Sequence, residues 1–175
     1  MSDELFNWAE SKSAIKTVSL ESMRGIVLDS KIPCQCCGVI AALNPHRIDK
    51  QKTRVIRDIA ILQLDNQWIR VESGRGLRGD MGEWKATAYQ AGAHITRAGW
   101  FGLAESMPRS ADWRITSLGF DFLRGIADIP LRILCRGGIV IYESIERIRI
   151  TDVTETFDKD YWDSYPWSEL ESASP

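Results

Sequence analysis

The sequence predicts an α+β chain built on a winged helix-turn-helix core, with an N-terminal extension and an acidic C-terminal tail. Three observations lead there. Between Trp113 and Glu143 a short strand (Trp113, Ile115) meets the helix cap Thr116-Ser117, and the helix closes near Gly125. Two β-rich runs joined by Arg136-Gly137-Gly138 then form the expected wing. Upstream, apolar residues from Ile48 to Leu64 recur at helical spacing. Between these, Glu83–Ala93 and Ile95–Glu105 read as two helical segments broken near Gly92, the support and recognition helices of such a module. The expected division is residues 1–44 as extension, 45–153 as core and 154–175 as tail.

Taken in order, residues 1–30 suggest a weak amphipathic helix (Leu5, Phe6, Trp8, Ala9), then a mixed strand or loop segment (Val18, Leu20, Ile26, Val27, Leu28). Lys31 to Asn44 holds a cysteine cluster, and Asn44-Pro45 marks a turn. In the first core helix Ile48, Val55, Ile56, Ile59 and Leu62 share a face, with Lys50, Lys52, Arg54 and Arg57 on the others. Homodimerisation through this helix is an expectation for such modules. Asn66–Val71 reads as a strand and Gly74–Gly82 as a basic loop. Thr116 or Ser117 can satisfy the orphan amides of the next helix, and Gly125 suits the left-handed residue that follows a helix. Pro130 bars further helix. Ile129, Leu131, Ile133 and Cys135 then alternate with Pro130, Arg132, Leu134 and Arg136, as in a half-buried strand. Gly137-Gly138 supplies the positive φ angles of a tight turn, and Ile139, Ile141 and Ile145 return. An ordinary hairpin packed on a helix is the alternative to a wing.

At 175 residues and 44% hydrophobic the chain can bury one proper core. No apolar run approaches the ~20 residues of a membrane span, and the acidic, polar start lacks the layout of a secretory signal. A cytoplasmic protein is expected, in the host cytoplasm if the gene is phage-borne, with no membrane partner. Cys34, Cys36, Cys37 and Cys135 are too crowded for a disulfide framework and point to reduced thiols or metal ligands. The net charge is −2, but the tail holds six acidic residues against Lys159, which leaves residues 1–153 at +3.

The succession Cys34-x-x-Cys37-Gly38, a basic helix, Trp100-Phe101-Gly102-Leu103-Ala104-Glu105, then Trp113-Arg114-Ile115-Thr116 with Gly119, Phe122, Leu123, Gly125 and Ile129-Pro130, is similar to a group of phage-encoded small proteins of undefined role. Those carry CPxCG, WGLIE, WRLTxxGxxFLxG and xVP motifs. The resemblance spans residues 33 to 160, and its central block also resembles the end of MarR-like and PadR-like winged-helix regulators. This chain departs with Gln35-Cys36 inside the knuckle and Phe-Gly-Leu-Ala for Trp-Gly-Leu-Ile. The resemblance implies a winged helix and a phage or prophage setting, not a reaction.

Cys34 and Cys37 have the spacing and following glycine of a zinc knuckle, with Cys36, His46, Cys135 and His94 the only other candidates for the missing pair. A decayed knuckle with free thiols is the other reading. Around the expected helix-turn-helix, Arg75, Arg78 and Lys85 could hold phosphates, as could Arg109 and Arg114. Gln90, Thr96 and Arg97 could read base edges of double-stranded DNA, and Arg132 and Arg136 lie on the wing. The tail mixes Asp160, Asp163, Trp162 and Trp167, and two tryptophans usually bury against something, either a partner or the chain's own basic face. There is no P-loop, GxGxxG, HExxH or GxSxG motif, so no enzyme is expected. The expected function is a non-enzymatic regulator contacting DNA or a host protein. The alternative is a phage anti-defence (anti-CRISPR-like) or host-takeover inhibitor docking on a host protein or nucleoprotein complex.

Overall fold

The computed structural model describes residues 15–31, 42–63, 67–72, 76–78 and 91–153. The fold is mixed α+β, with five helices and ten short strands among the described residues. These residues group into two compact units that do not follow the linear order 1–44, 45–153, 154–175. Among the described residues, one joins residues 15–47 with Pro130–Arg147, and the other joins Ile48–Ile129 with residues 148–153. Strands that pair far apart in sequence set this grouping, and a linear reading cannot see such pairing. β7 (Ile129–Pro130) and β10 (Arg147–Ile148) form a two-stranded sheet.

The first unit is a four-stranded sheet in the order β1-β9-β8-β2, carrying one helix. β1 (Lys16–Val18) runs parallel to β9 (Ile139–Ser144), and β2 (Asn44–His46) runs antiparallel to β8 (Ile133–Arg136). The mixed segment before Ser30 is a helix, α1 (Leu20–Asp29), and Asn44-Pro45 is strand rather than turn. Ser19 caps α1 by accepting from the Ser22 amide at 3.2 Å, and Met23 packs with Leu43 and Leu134. The β8–β9 hairpin forms as expected, with Gly137 and Gly138 at φ 58° and 85°. Both of its strands have outer partners, so it is the centre of a sheet. Ile133, Leu134 and Cys135 are all buried, and burial pushes the Cys135 thiol up to about 12.

The second unit is built on α2 (Lys50–Gln63), close to the 48–64 expectation. Val55, Ile56, Ile59 and Ala60 are fully buried, each large apolar side chain contributing roughly 1.5–3 kcal/mol. Its sheet runs β4-β3-β6-β5, all antiparallel, from β3 (Ile69–Glu72), β4 (Gly76–Arg78), β5 (Ala104–Ser106) and β6 (Asp112–Ile115). β4 lies inside the stretch expected as a loop. Alternation along β3 and β6 buries Ile69, Val71 and Ile115 and turns Arg70 and Asp112 to the other face.

The helix expected over 95–105 begins earlier and ends sooner, as α3 (Ala91–Trp100). It runs through Gly92 without a break. Gly102, at φ 76°, stops it. The Leu103 amide donates to the Ala98 carbonyl at 3.3 Å and the Gly102 amide to the Gly99 carbonyl at 2.9 Å, the bond pair of a Schellman motif. The residues Leu103 to Glu105 leave the helix, and β5 follows at once. The remainder of the expected support helix, 83–90, lies outside the described residues.

Candidate functional site

After β6, Thr116 caps α4 (Ser117–Leu123), its hydroxyl accepting from the Gly119 amide at 3.1 Å. The same hydroxyl donates to the Gly102 carbonyl at 2.6 Å, and the Thr116 amide donates to the Leu103 carbonyl at 3.2 Å. The start of α4 is thus bonded to the turn that ends α3. Gly119 makes this approach possible, because a Cβ there would lie 2.1 Å from the Leu103 oxygen and 2.5 Å from Ile115 Cγ2. The Gly102-Leu103 and Thr116-x-x-Gly119 motifs are two sides of one contact. Gln63 completes the frame: its amide oxygen accepts from the Ile115 N–H at 2.7 Å, as a neighbouring strand would. Helix α4 closes as expected with Gly125 at φ 74°.

This frame fixes α3 and the β5–β6 hairpin directly after it. On α3, Ile95 and Ala98 are buried while Ala93, Thr96 and Arg97 are exposed. The Thr96 hydroxyl donates to the Gly92 carbonyl at 2.8 Å, leaving its lone pairs and methyl outward. His94, half-buried on α3, lies in the field of Asp49, Lys52 and Arg97. Burial holds its imidazole below the usual value of 6.5, partly opposed by Asp49.

Asp49 is the cap of α2, accepting the Lys52 amide at 3.0 Å and the Lys52 ammonium. Burial alone would raise the Asp49 carboxyl; the bonds from Lys52 and the charges of Lys52 and His94 outweigh it and lower it. Lys52, expected among the outward cations of α2, is buried, whereas Lys50 and Arg54 are exposed.

The β5–β6 turn is Met107-Pro108-Arg109-Ser110, closed by the Ser110 amide donating to the Met107 carbonyl at 3.1 Å. Proline second and a positive φ third are the pattern of a type II turn, but the third residue is Arg109, at φ 59°. A non-glycine residue there carries a strain of about 1 kcal/mol or more. Arg109 is the only described non-glycine residue at positive φ, and it is exposed. Arg70 braces the turn, its guanidinium 3.3 Å from Ser110 Oγ and 3.4 Å from the Asp112 carboxylate, with Glu72 at 3.2 Å. Those carboxylates raise its pKa, the hydrogen bond to Glu72 most. Arg114 pairs with Glu105 and stacks 4.7 Å over Trp68.

Of the expected contact residues, Thr96 and Arg97 lie on the helix that precedes the Arg109 hairpin and packs on its strand β5, and Arg78 lies on β4 opposite Arg70. Arg132 and Arg136 belong to the other unit, Arg132 just before β8 and Arg136 at its end, so they are not on the hairpin that follows α3. Arg75, Lys85, Gln90, the cysteines Cys34, Cys36 and Cys37, and the tail residues Asp160, Trp162, Asp163 and Trp167 lie outside the described residues. Among the described residues no three His, Cys, Asp or Glu side chains gather as a metal site, and no helix is long and apolar enough to cross a membrane. Sequence reasoning gave Arg109 no place in a turn; Pro108 ahead of it was the available signal. No protein-family model, curated protein or solved structure matches the chain.

Proposed function

We propose that the second unit is a winged-helix module that binds duplex DNA without catalysis, in a regulatory role of phage or prophage type. Helix α3 is its groove-reading helix and β5–β6 its wing. The order α2, β3, β4, α3, β5, β6 with strands arranged β4-β3-β6-β5 supports this reading. The observation that carries the proposal is Arg109 held at positive φ on the exposed turn of the hairpin that follows a helix with Thr96 and Arg97 exposed. Arginines so placed can take phosphates, and Thr96 offers a methyl and an acceptor to base edges. The test is a gel-shift titration against salt. Arg97→Ala and Arg109→Ala should each weaken binding about tenfold or less and flatten the salt slope by about one contact, while Arg136→Ala should change neither. Unchanged binding in the first two variants overturns the assignment.

A second function, docking on a host protein as an inhibitor, is favoured by the first unit, where Ile139 is exposed beside Arg136 at the β8–β9 tip and Leu28 and Ile145 are exposed elsewhere. Pull-down from host lysate with Ile139→Ser tests it; undiminished recovery of partners removes the tip. Zinc is a further proposal for the same unit. The β2–β8 register sets Asn44 opposite Cys135 and His46 opposite Ile133, so His46 and Cys135 share a sheet face two positions apart. Metal analysis after Cys34→Ser and after His46→Ala tests whether these residues bind zinc. A dimer through α2 would have to use its exposed positions, Lys50, Gln51 and Arg54, since its apolar stripe is buried within the unit.

A further inference from the structure

We propose that the acidic aromatic tail, residues 154–175, docks on the exposed face of α3 and the β5–β6 turn of its own chain and competes there with nucleic acid. The competition rests on the DNA assignment above; the docking does not. Three observations carry it. The first is charge: the tail holds Glu155, Asp158, Asp160, Asp163, Glu169 and Glu171 against one lysine, and α3 and the β5–β6 turn each expose an arginine, Arg97 and Arg109. Guanidinium groups bind carboxylates in the forked geometry they use for phosphates, so a surface able to hold a phosphate backbone also accepts a run of carboxylates.

The second is chemistry beside the charge. Tyr161, Trp162, Tyr165 and Trp167 are interleaved with those carboxylates, and aromatic faces stack on arginine, as Trp68 already does with Arg114. Ala93 and Thr96 give the α3 face a low relief on which rings can lie.

The third is where the tail begins. Helix α5 (Ile150–Val153) packs on α2, and α2 packs on α3, so the tail starts in the same unit as its target. Its 22 residues can extend to roughly 70 Å, whereas α2, at 14 residues, is about 21 Å long. Attachment within one chain gives a docking segment an effective concentration on the order of millimolar, enough for a weak contact to reduce ligand binding on the order of tenfold.

The test uses the full chain and a full-chain variant with Glu155→Gln, Asp158→Asn, Asp160→Asn, Asp163→Asn, Glu169→Gln and Glu171→Gln. Amide NMR shifts are compared without DNA, and binding to a random-sequence duplex is titrated in parallel. The expected result is that neutralisation moves the amides of Ala93, Thr96, Arg97 and Arg109, as high salt does in the parent chain, and raises duplex affinity on the order of tenfold. If those amides move but neither protein binds the duplex, docking stands and the DNA assignment falls. If they do not move, docking is overturned whatever the affinities. A dependence of the parent shifts on protein concentration also overturns it, because the occupant is then the tail of a second copy.

Discussion

Both hairpins reverse their chains through positive-φ backbone, two consecutive residues in β8–β9 and one in β5–β6, but they place different residues at the bend. In β8–β9 the positive φ angles fall on Gly137 and Gly138, which adopt them without steric penalty. Its strands run through the middle of a sheet, and Cys135 is buried to the point that its thiol stays protonated. In β5–β6 the positive φ falls on Arg109, and β5 is the edge strand. The first hairpin is shaped by packing. The second keeps a strained residue whose side chain lies in solvent, a strain that packing does not require and that fits the proposed contact role.

The largest effect on this contrast is expected from Gly119→Ala. The added Cβ meets a backbone oxygen, not a flexible side chain, so stability should fall by about 3 kcal/mol or more. Hydrogen exchange should rise in β5–β6 and α4 before it rises in β8–β9. Equal loss in both hairpins would show that the α3–α4 contact does not single out the β5–β6 frame. Thr116→Ala is next: it removes the cap of α4 and the bond to Gly102 together, and urea denaturation should register about 1–2 kcal/mol.

Arg109→Gly should do the opposite. Relief of the turn strain should raise stability by about 0.5–1 kcal/mol while duplex binding weakens. A variant that gains stability and keeps its affinity would remove Arg109 from the interface. Gly137→Ala, by comparison, can only lose stability, because φ 58° disfavours any side chain although nothing lies within 4 Å.

The smallest effect is on acid stability. His94 is held below 6.5 in the fold, so its contribution is full above that pH and drains away as pH falls through the lower folded value. Asp49, held below 3.8, behaves alike at a more acid pH: its contribution is present above 3.8 and lost below. Denaturation midpoints between pH 7.5 and 5 should decline in the parent and flatten in His94→Gln. An unchanged slope would exclude His94 as the titrating group.

Much of the local architecture was legible residue by residue. The apolar spacing of Val55, Ile56 and Ile59 marked α2, Thr116 and Gly125 bracketed α4, and Gly137-Gly138 located the β8–β9 turn. Each is a short-range rule that acts within a few residues. The α3 boundary was harder. Trp100-Phe101-Gly102-Leu103 has an apolar pattern compatible with continuing helix, and only the positive φ at Gly102 and the bond from Leu103 to Ala98 show that it stops. Charge pattern also misled at Lys52, buried beside Asp49, because period alone cannot tell a solvated lysine from one held by a cap.

By itself, then, the chain determined α2, α4 with its cap, and the glycine turns, because those depend on neighbours within one or two turns of backbone. The partners of each strand came only from the tertiary structure. The hairpin expected as a wing became the centre of a sheet with β1 and β2, whose paired residues lie more than eighty positions away, and a second hairpin, β5–β6, follows α3. Strand edges are generic donors and acceptors. Which edge meets which is settled by the burial of whole faces, and that is a property of the assembled units rather than of any segment.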